Sequence, residues 1–236
     1  MEFLVFQLQA PLSSWGDTAV GEYRGSYEHP GESALIGLLG AALGIRREDE
    51  AAHAALRQGY GFAVGVQSSG KLLRDYHTAQ VPGRAALKGR PHATRRDELG
   101  VPKDDLNTIL STRDYRQEAA SLIAIQPRGD APYALGVLSD ALRKPRFVLY
   151  LGRKSCPPAA PLHPDVITAN SALAAFEQYR KRLNDQRDEH KDRHGRLPLE
   201  PIGDLIRLVW GDGVEAGASA DLSAPRKDRL IRRQGW

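Results

Sequence analysis

Two stretches that read as β-strands enclose an arm with almost nothing to bury. The first flank is Leu72-Leu73-Arg74-Asp75-Tyr76-His77-Thr78, and the return is Asn107-Thr108-Ile109-Leu110-Ser111-Thr112-Arg113-Asp114-Tyr115. Both are rich in β-branched, Leu and Tyr residues, which suits paired strands. Gln80 to Leu106 carries Arg84, Lys88, Arg90, His92, Arg95 and Arg96, interleaved with Pro82, Gly83, Gly89 and Pro91. A long connection with few apolar anchors is unusual inside a compact domain unless it is functional or disordered. It reads either as a basic arm laid along a phosphate backbone or as a solvated loop. Few anchors predict that the arm is mobile when nothing is bound.

The rest of the chain is ordinary in composition. It has 33 Lys and Arg against 29 Asp and Glu, a net charge of +4 that fits a polyanionic partner without requiring one. The single cysteine, Cys156, excludes an internal disulfide framework and a Cys-rich zinc site, and fits a reducing cytoplasm. Phe3-Leu4-Val5-Phe6 is too short for a signal segment and reads as a strand. No stretch is long enough to span a membrane.

In order, the pattern predicts a strand over Glu2 to Gln9, a loop bearing Trp15 folded onto the core, and a helix over Glu32 to Gly44 capped by Ser33. Gly37 and Gly40 within that helix suggest close approach to a sheet or another chain. A second helix follows over Asp49 to Gln58, then a half-buried strand over Tyr60 to Gln67. After the arm come a strand over Ala119 to Gln126, a helix over Ala131 to Arg143, and a closing strand over Phe147 to Leu151. Stripped of the arm this is the α+β ferredoxin-like (RRM-like) βαββαβ pattern, with helices on one sheet face and the other available to a ligand. Residues 1–152 form that domain, and 153–236 a smaller C-terminal region. The latter begins with a Pro-rich stiff linker from Cys156 to Pro164. It continues with a long helix from about 170 to 193, charged in its second half, strand-like alternation over Ile202 to Trp210, and a basic end, Arg226 to Arg233.

Candidate chemistry is sparse. Tyr76 and His77 are the residue types of a metal-independent ribonuclease, with Lys88, Arg74 or Arg113 to steady a phosphorane. Neighbours on a strand point to opposite faces, however, which hinders joint action on one phosphate. His190 and His194 have metal-ligand spacing on a helix but no evident third ligand. Asp97-Glu98 and Asp104-Asp105 read as helix-start and turn residues. Ser155 and Cys156 form no nucleophile arrangement, and no cofactor fingerprint is present. Lys144-Pro145-Arg146-Phe147 and Tyr150-Leu151-Gly152-Arg153-Lys154 mix cations with aromatics, which either stack bases and hold phosphates or are strand ends with snorkelling cations.

Five motifs in sequence resemble the type I-E branch of the fifth CRISPR-associated (Cas) protein family, within the RAMP superfamily. They are Ala10 to Gly16, Ser33 to Gly44, Leu73 to Thr78, Ile109 to Tyr115, and Lys144 to Pro157. The resemblance covers residues 1 to about 162. It implies a non-catalytic subunit of the Cascade surveillance complex that grips the 5′ handle of the CRISPR RNA. It also implies contacts with the backbone-forming CasC subunit and the large CasA subunit, and with target DNA only through the complex. The arm becomes a thumb inserted at about 78–112. Arg24, Arg74, Tyr76, His77, Arg113, Arg146, Tyr150, Arg153 and Lys154 become candidate handle contacts, beside the arm cations Arg84, Lys88, Arg90, Arg95 and Arg96. No metal, cofactor or membrane contact is implied. A related type I-C branch cuts precursor RNA with Tyr, Lys and His residues, which keeps an endoribonuclease as the alternative. Glu32 stands where that family has a basic residue before Ser33.

Overall fold

A computed structural model describes residues 1–16, 19, 21–91, 93–194 and 203–217, with the backbone alone for 187–194. The strands are β1 (Glu2–Ser13), β2 (Trp15–Gly16), β3 (Tyr23–Arg24), β4 (Ser26–Tyr27), β5 (Tyr60–Ser68), β6 (Lys71–Pro82), β7 (Leu106–Pro127), β8 (Asp165–Thr168) and β9 (Arg207–Trp210). The helices are α1 (Glu32–Leu43), α2 (Glu50–Gly59), α3 (Arg95–Leu99), α4 (Leu135–Arg143) and α5 (Ala172–His194), with a 3-10 turn at Lys103–Asp105.

The main sheet is mixed, and its central ladders are antiparallel in the order β8-β1-β7-β5-β9. Its centre is sealed on both faces. Leu4 and Phe6 of β1 lie opposite Ile125 and Ile123 of β7, which in turn oppose Phe62 and Val64 of β5. These residues join Leu35, Leu39, Leu138 and Leu142 of α1 and α4 in one core. The intervening residues Phe3, Val5, Ala63, Leu122 and Ala124 point the other way, as strand alternation demands. They pack with Phe176 and Tyr179 of α5 and Leu208 of β9 in a second core.

The second core corrects two expectations. The far sheet face is not open to a ligand, and β5 is buried throughout Tyr60 to Val66 rather than half-buried. Its residues on that face, Ala63 and Gly65, are small because Phe176 of α5 and Leu205 come close. A Cβ on Gly65 would stand 2.8 Å from Leu205 and 3.2 Å from Phe176. The first half of α5, with Ala172, Ala175, Phe176 and Tyr179 in the second core, is thus the cover of the sheet.

The predicted strand over Phe147 to Leu151 does not form. Its end amides are used elsewhere: Phe147 donates to the carbonyl of Ala41 at the end of α1, as Arg146 just before it does to Ala42, and Leu151 donates to Cys156. β8 takes the edge of β1 instead. The expected linker is packed, not free. Cys156 is buried, and Gln7 and Gln9 of β1 bond the backbone at Leu162 and Ala159. β8 and β9, which follow residue 152, belong to the same sheet.

Smaller differences follow the same logic. α1 starts from Gly31 with no side-chain cap, so Ser33 is not its cap. Gly40 admits His53 of α2, whereas Gly37 faces open space. α4 begins at Leu135 rather than Ala131. β1 runs on through Ser13, and Trp15 lies in β2, buried as expected. The strands predicted over Asn107 to Tyr115 and Ala119 to Gln126 are one continuous β7. Its register with β1 skips Glu118, where φ is 56°. Among the described residues no helix is long and apolar enough to cross a membrane.

Candidate nucleic-acid interface

The basic arm is β6 paired with the first part of β7, from Lys71 opposite Gln117 to Pro82 opposite Leu106. Alternation divides its residues between two faces. Asp75, His77, Ser111, Arg113 and Tyr115 share one face, and Arg74, Tyr76, Thr112 and Asp114 share the other. β3 lies parallel to β7 along its other edge, with Tyr23 opposite Thr112 and Arg24 opposite Arg113.

On the first face, at the base of the arm, Arg24, Arg113 and Arg153 line an open cavity of about 320 Å3 with Ser14, Gly16, Ala19, Gly25 and Gly152. Among the described residues no carboxylate lines it. Each arginine is brought there by a different element. Arg113 projects from β7, and its Nε donates to the Ser111 hydroxyl at 3.3 Å. Arg24 sits on β3 and donates to the carbonyls of Gly21 and Tyr23. Arg153 comes from the turn that replaces the expected strand. Its guanidinium carbon lies 4.8 Å from the centroid of the Tyr115 ring, and it donates to the Arg24 carbonyl at 3.2 Å. Its other terminal nitrogen is buried with no hydrogen-bond partner among the described residues. Buried donors are rarely left unmade, so an anion or water has a ready place there.

That turn depends on one glycine. Gly152 has φ of 87°, and a Cβ there would fall 1.7 Å from the Ser14 carbonyl oxygen. The Leu151 carbonyl in turn accepts from the Ser14 amide. Ser14 closes the corner by donating its hydroxyl to the Asp114 carbonyl at 3.0 Å.

On the opposite face the side chains are already paired. Arg74 donates to Asp114 from Nε at 2.9 Å and from a terminal nitrogen at 3.2 Å. The Tyr23 hydroxyl donates to the same carboxylate at 2.5 Å, and the Arg74 guanidinium lies 5.3 Å from the Tyr23 ring centroid. The Arg74 hydrogen bonds hold the buried Asp114 carboxyl below the usual carboxylate range. The bond to Asp114 pushes the Tyr23 hydroxyl above the usual phenol range. Tyr76 stands beside this cluster, 61% exposed.

The candidate residues are thus partly gathered. Arg24, Arg113 and Arg153 converge, and His77 lies farther out on the same face in contact with Asp75. Arg74 and Tyr76 are on the other side, as adjacency on the strand predicts. Arg146 is not in the cavity: its chain lies over Gly44 at the end of α1, where a cation suits the helix dipole. Tyr150 and Lys154 are exposed near the Arg153 turn. At the tip, Arg84, Lys88, Arg90, Arg95 and Arg96 are all exposed; Arg95 pairs with Glu98 and donates to the Gln80 carbonyl. Thr94 and Asp97 form a capping box, so Asp97 is a helix-start residue as expected. His92 and the basic end Arg226 to Arg233 lie outside the described residues, as do the side chains of His190 and His194.

Sequence reasoning passed over Ser14 and Asp114 as site residues. Ser14 lies in a stretch read as a loop and Asp114 in one read as a strand, and neither pattern singles them out; their burial and hydrogen bonds show that they are used. It also passed over Glu28, whose carboxylate accepts from Arg207 of β9 at 2.7 Å and is held low chiefly by that bond. Among the described residues no group of His, Cys, Asp and Glu is arranged to hold a metal.

Residues 3–223 match the family model described as CRISPR-associated protein (Cas_Cas5). Over 185 residues the chain is 31% identical to the CRISPR system Cascade subunit CasD of Escherichia coli (strain K12), covering 75% of this chain and 76% of that protein. Among solved structures, a chain of a CRISPR RNA-guided surveillance complex is similar with a TM-score of 0.52 and 29% identity. That match covers 68% of this chain and 61% of the other, so this chain spans less than two thirds of that one.

Proposed function

Because the chain belongs to the Cas5 family of CRISPR-associated proteins, we propose that it is a non-catalytic RNA-binding subunit of a type I-E Cascade surveillance complex. In this reading it holds the 5′ handle of the CRISPR RNA. It joins the CasC backbone to the large CasA subunit in the cytoplasm, and meets target DNA only through the assembly. The strand order β8-β1-β7-β5, with α1 and α4 as crossovers, is read as the ferredoxin-like pattern, and β6 with the outer part of β7 as its thumb.

One observation supports RNA binding most directly: three arginines from three separate elements converge on a cavity that no carboxylate lines among the described residues. Phosphate oxygens suit such a site, since guanidinium groups bind them with charge-assisted bonds. The exposed cations at the tip extend the positive track along the arm. Native expression of the chain tests the reading. A short CRISPR RNA should copurify with CasC and CasA, and RNA affinity should fall steeply with salt. Absence of both would sink it.

The His77–Asp75 contact, with Arg113 and Ser111 on the same face, favours a second reading as a metal-independent endoribonuclease for precursor RNA. Incubation with repeat RNA in EDTA separates the two. Cleavage that disappears in His77→Ala would replace the first reading with the second.

A further inference from the structure

The face of the arm opposite the arginine cavity has a different chemistry. Tyr76 of β6 lies across from Thr112 of β7, which lies across from Tyr23 of β3. The three form one row, with a small residue between two tyrosines. Arg74 stands next to Tyr76 on the same face, two residues back along β6. Both tyrosines are open to solvent, Tyr23 at 40% and Tyr76 at 61%, and the Arg74 side chain is 56% exposed.

Arg74 is not placed as a phosphate ligand. Its Nε and one terminal nitrogen are committed to Asp114, whose charge offsets its own. The two-pronged bond to a buried carboxylate also fixes the plane of the guanidinium. The Tyr23 hydroxyl locks the same carboxylate from the other side. What is left is a rigid, nearly neutral π surface beside an exposed phenol ring. Unpaired bases stack on aromatic rings and on guanidinium planes, and do so with little regard to sequence.

We propose that Tyr76 and the Arg74 plane, braced by Asp114 and Tyr23, form a stacking platform for one unpaired nucleobase. The assignment rests on the RNA-binding reading above. It gives the two faces separate work: a strand crossing the arm leaves phosphates with Arg24, Arg113 and Arg153 on one side and lays a base on the other. Tyr76 is then a base contact, and Asp114 a positioning residue that touches no RNA.

The test compares the full chain binding a short single-stranded RNA with its binding to the matching abasic strand, over a range of salt. The wild type should favour the base-bearing strand by about tenfold. Tyr76→Val and Arg74→Gln should remove most of that preference and leave abasic binding and the salt slope unchanged. Arg113→Gln should instead weaken both strands alike and flatten the slope of log K against log salt by about 0.7. Tyr76 is exposed, so Tyr76→Val should keep the unfolding midpoint and read out stacking even if Arg74→Gln loosens the arm. An unchanged preference in Tyr76→Val, or a slope in Arg74→Gln that falls as in Arg113→Gln, overturns the platform while leaving RNA binding intact. Failure of the wild type to bind either strand removes the RNA reading and the platform together.

Discussion

The guanidinium carbon of Arg153 sits 4.8 Å from the centroid of the Tyr115 ring, joining a surface turn to the strand at the base of the arm. The ring holds the cation at the cavity while one of its terminal nitrogens has no hydrogen-bond partner among the described residues. Arg153→Gln should weaken binding of single-stranded RNA and lower the salt slope by about 0.7, the share of one phosphate contact. Titration by fluorescence anisotropy at several salt concentrations measures both. An unchanged slope would mean that Arg153 serves only the packing of its turn.

Gly152→Ala should be costly out of proportion to one methyl group. The residue sits at φ of 87°, and the added carbon meets the Ser14 carbonyl. A loss of about 3 kcal/mol is expected from strain and overpacking together. Urea unfolding should show it, and RNA affinity should fall as well, because the turn that carries Arg153 must move.

Asp114 sets an acid limit on the arm. Its folded-state pKa lies below the ordinary carboxylate value, so its contribution is full above the unfolded pKa and is lost as pH falls through the folded one. Asp114→Asn should therefore cost about 2 kcal/mol at neutral pH. The gap between wild type and variant should close below about pH 4. Denaturation curves across pH 3 to pH 7 check the sign; a gap that widened in acid would contradict it.

Phe176→Ala should cost about 3–5 kcal/mol, because the ring is fully buried against the sheet. Thermal or urea unfolding reads the loss directly. A small effect would mean that α5 is an accessory to the sheet rather than its cover.

Much of this arrangement was legible in the residues. The arm showed itself because strand-like flanks enclosed a segment too polar to pack. Glu2 to Gln9 read as a strand, and Phe62 and Val64 were placed inward by period-two alternation. The second core was not legible, because Ala63, Gly65 and Ala124 look the same whether a helix or water lies above them. Phe147 to Leu151 reads as a strand on composition, but the Phe147 amide is claimed by the Ala41 carbonyl, more than a hundred residues upstream, and the Leu151 amide by Cys156. The convergence of Arg24, Arg113 and Arg153 is likewise a product of tertiary contact. A family motif can nominate each of them; none of the spacings between them says that they meet. Arg146 was nominated on the same footing, and lies instead at the end of α1.

β7 runs for 22 residues without a break, from the tip of the arm into the middle of the sheet. Its one irregularity is at Glu118, below the arm. No loop or hinge therefore separates the part that reaches outward from the part buried between two cores. A push or pull at the tip travels down a single stiff rod into the interior of the molecule, so the angle of the arm is inherited from the core, and a neighbour that tilts it must strain the whole body.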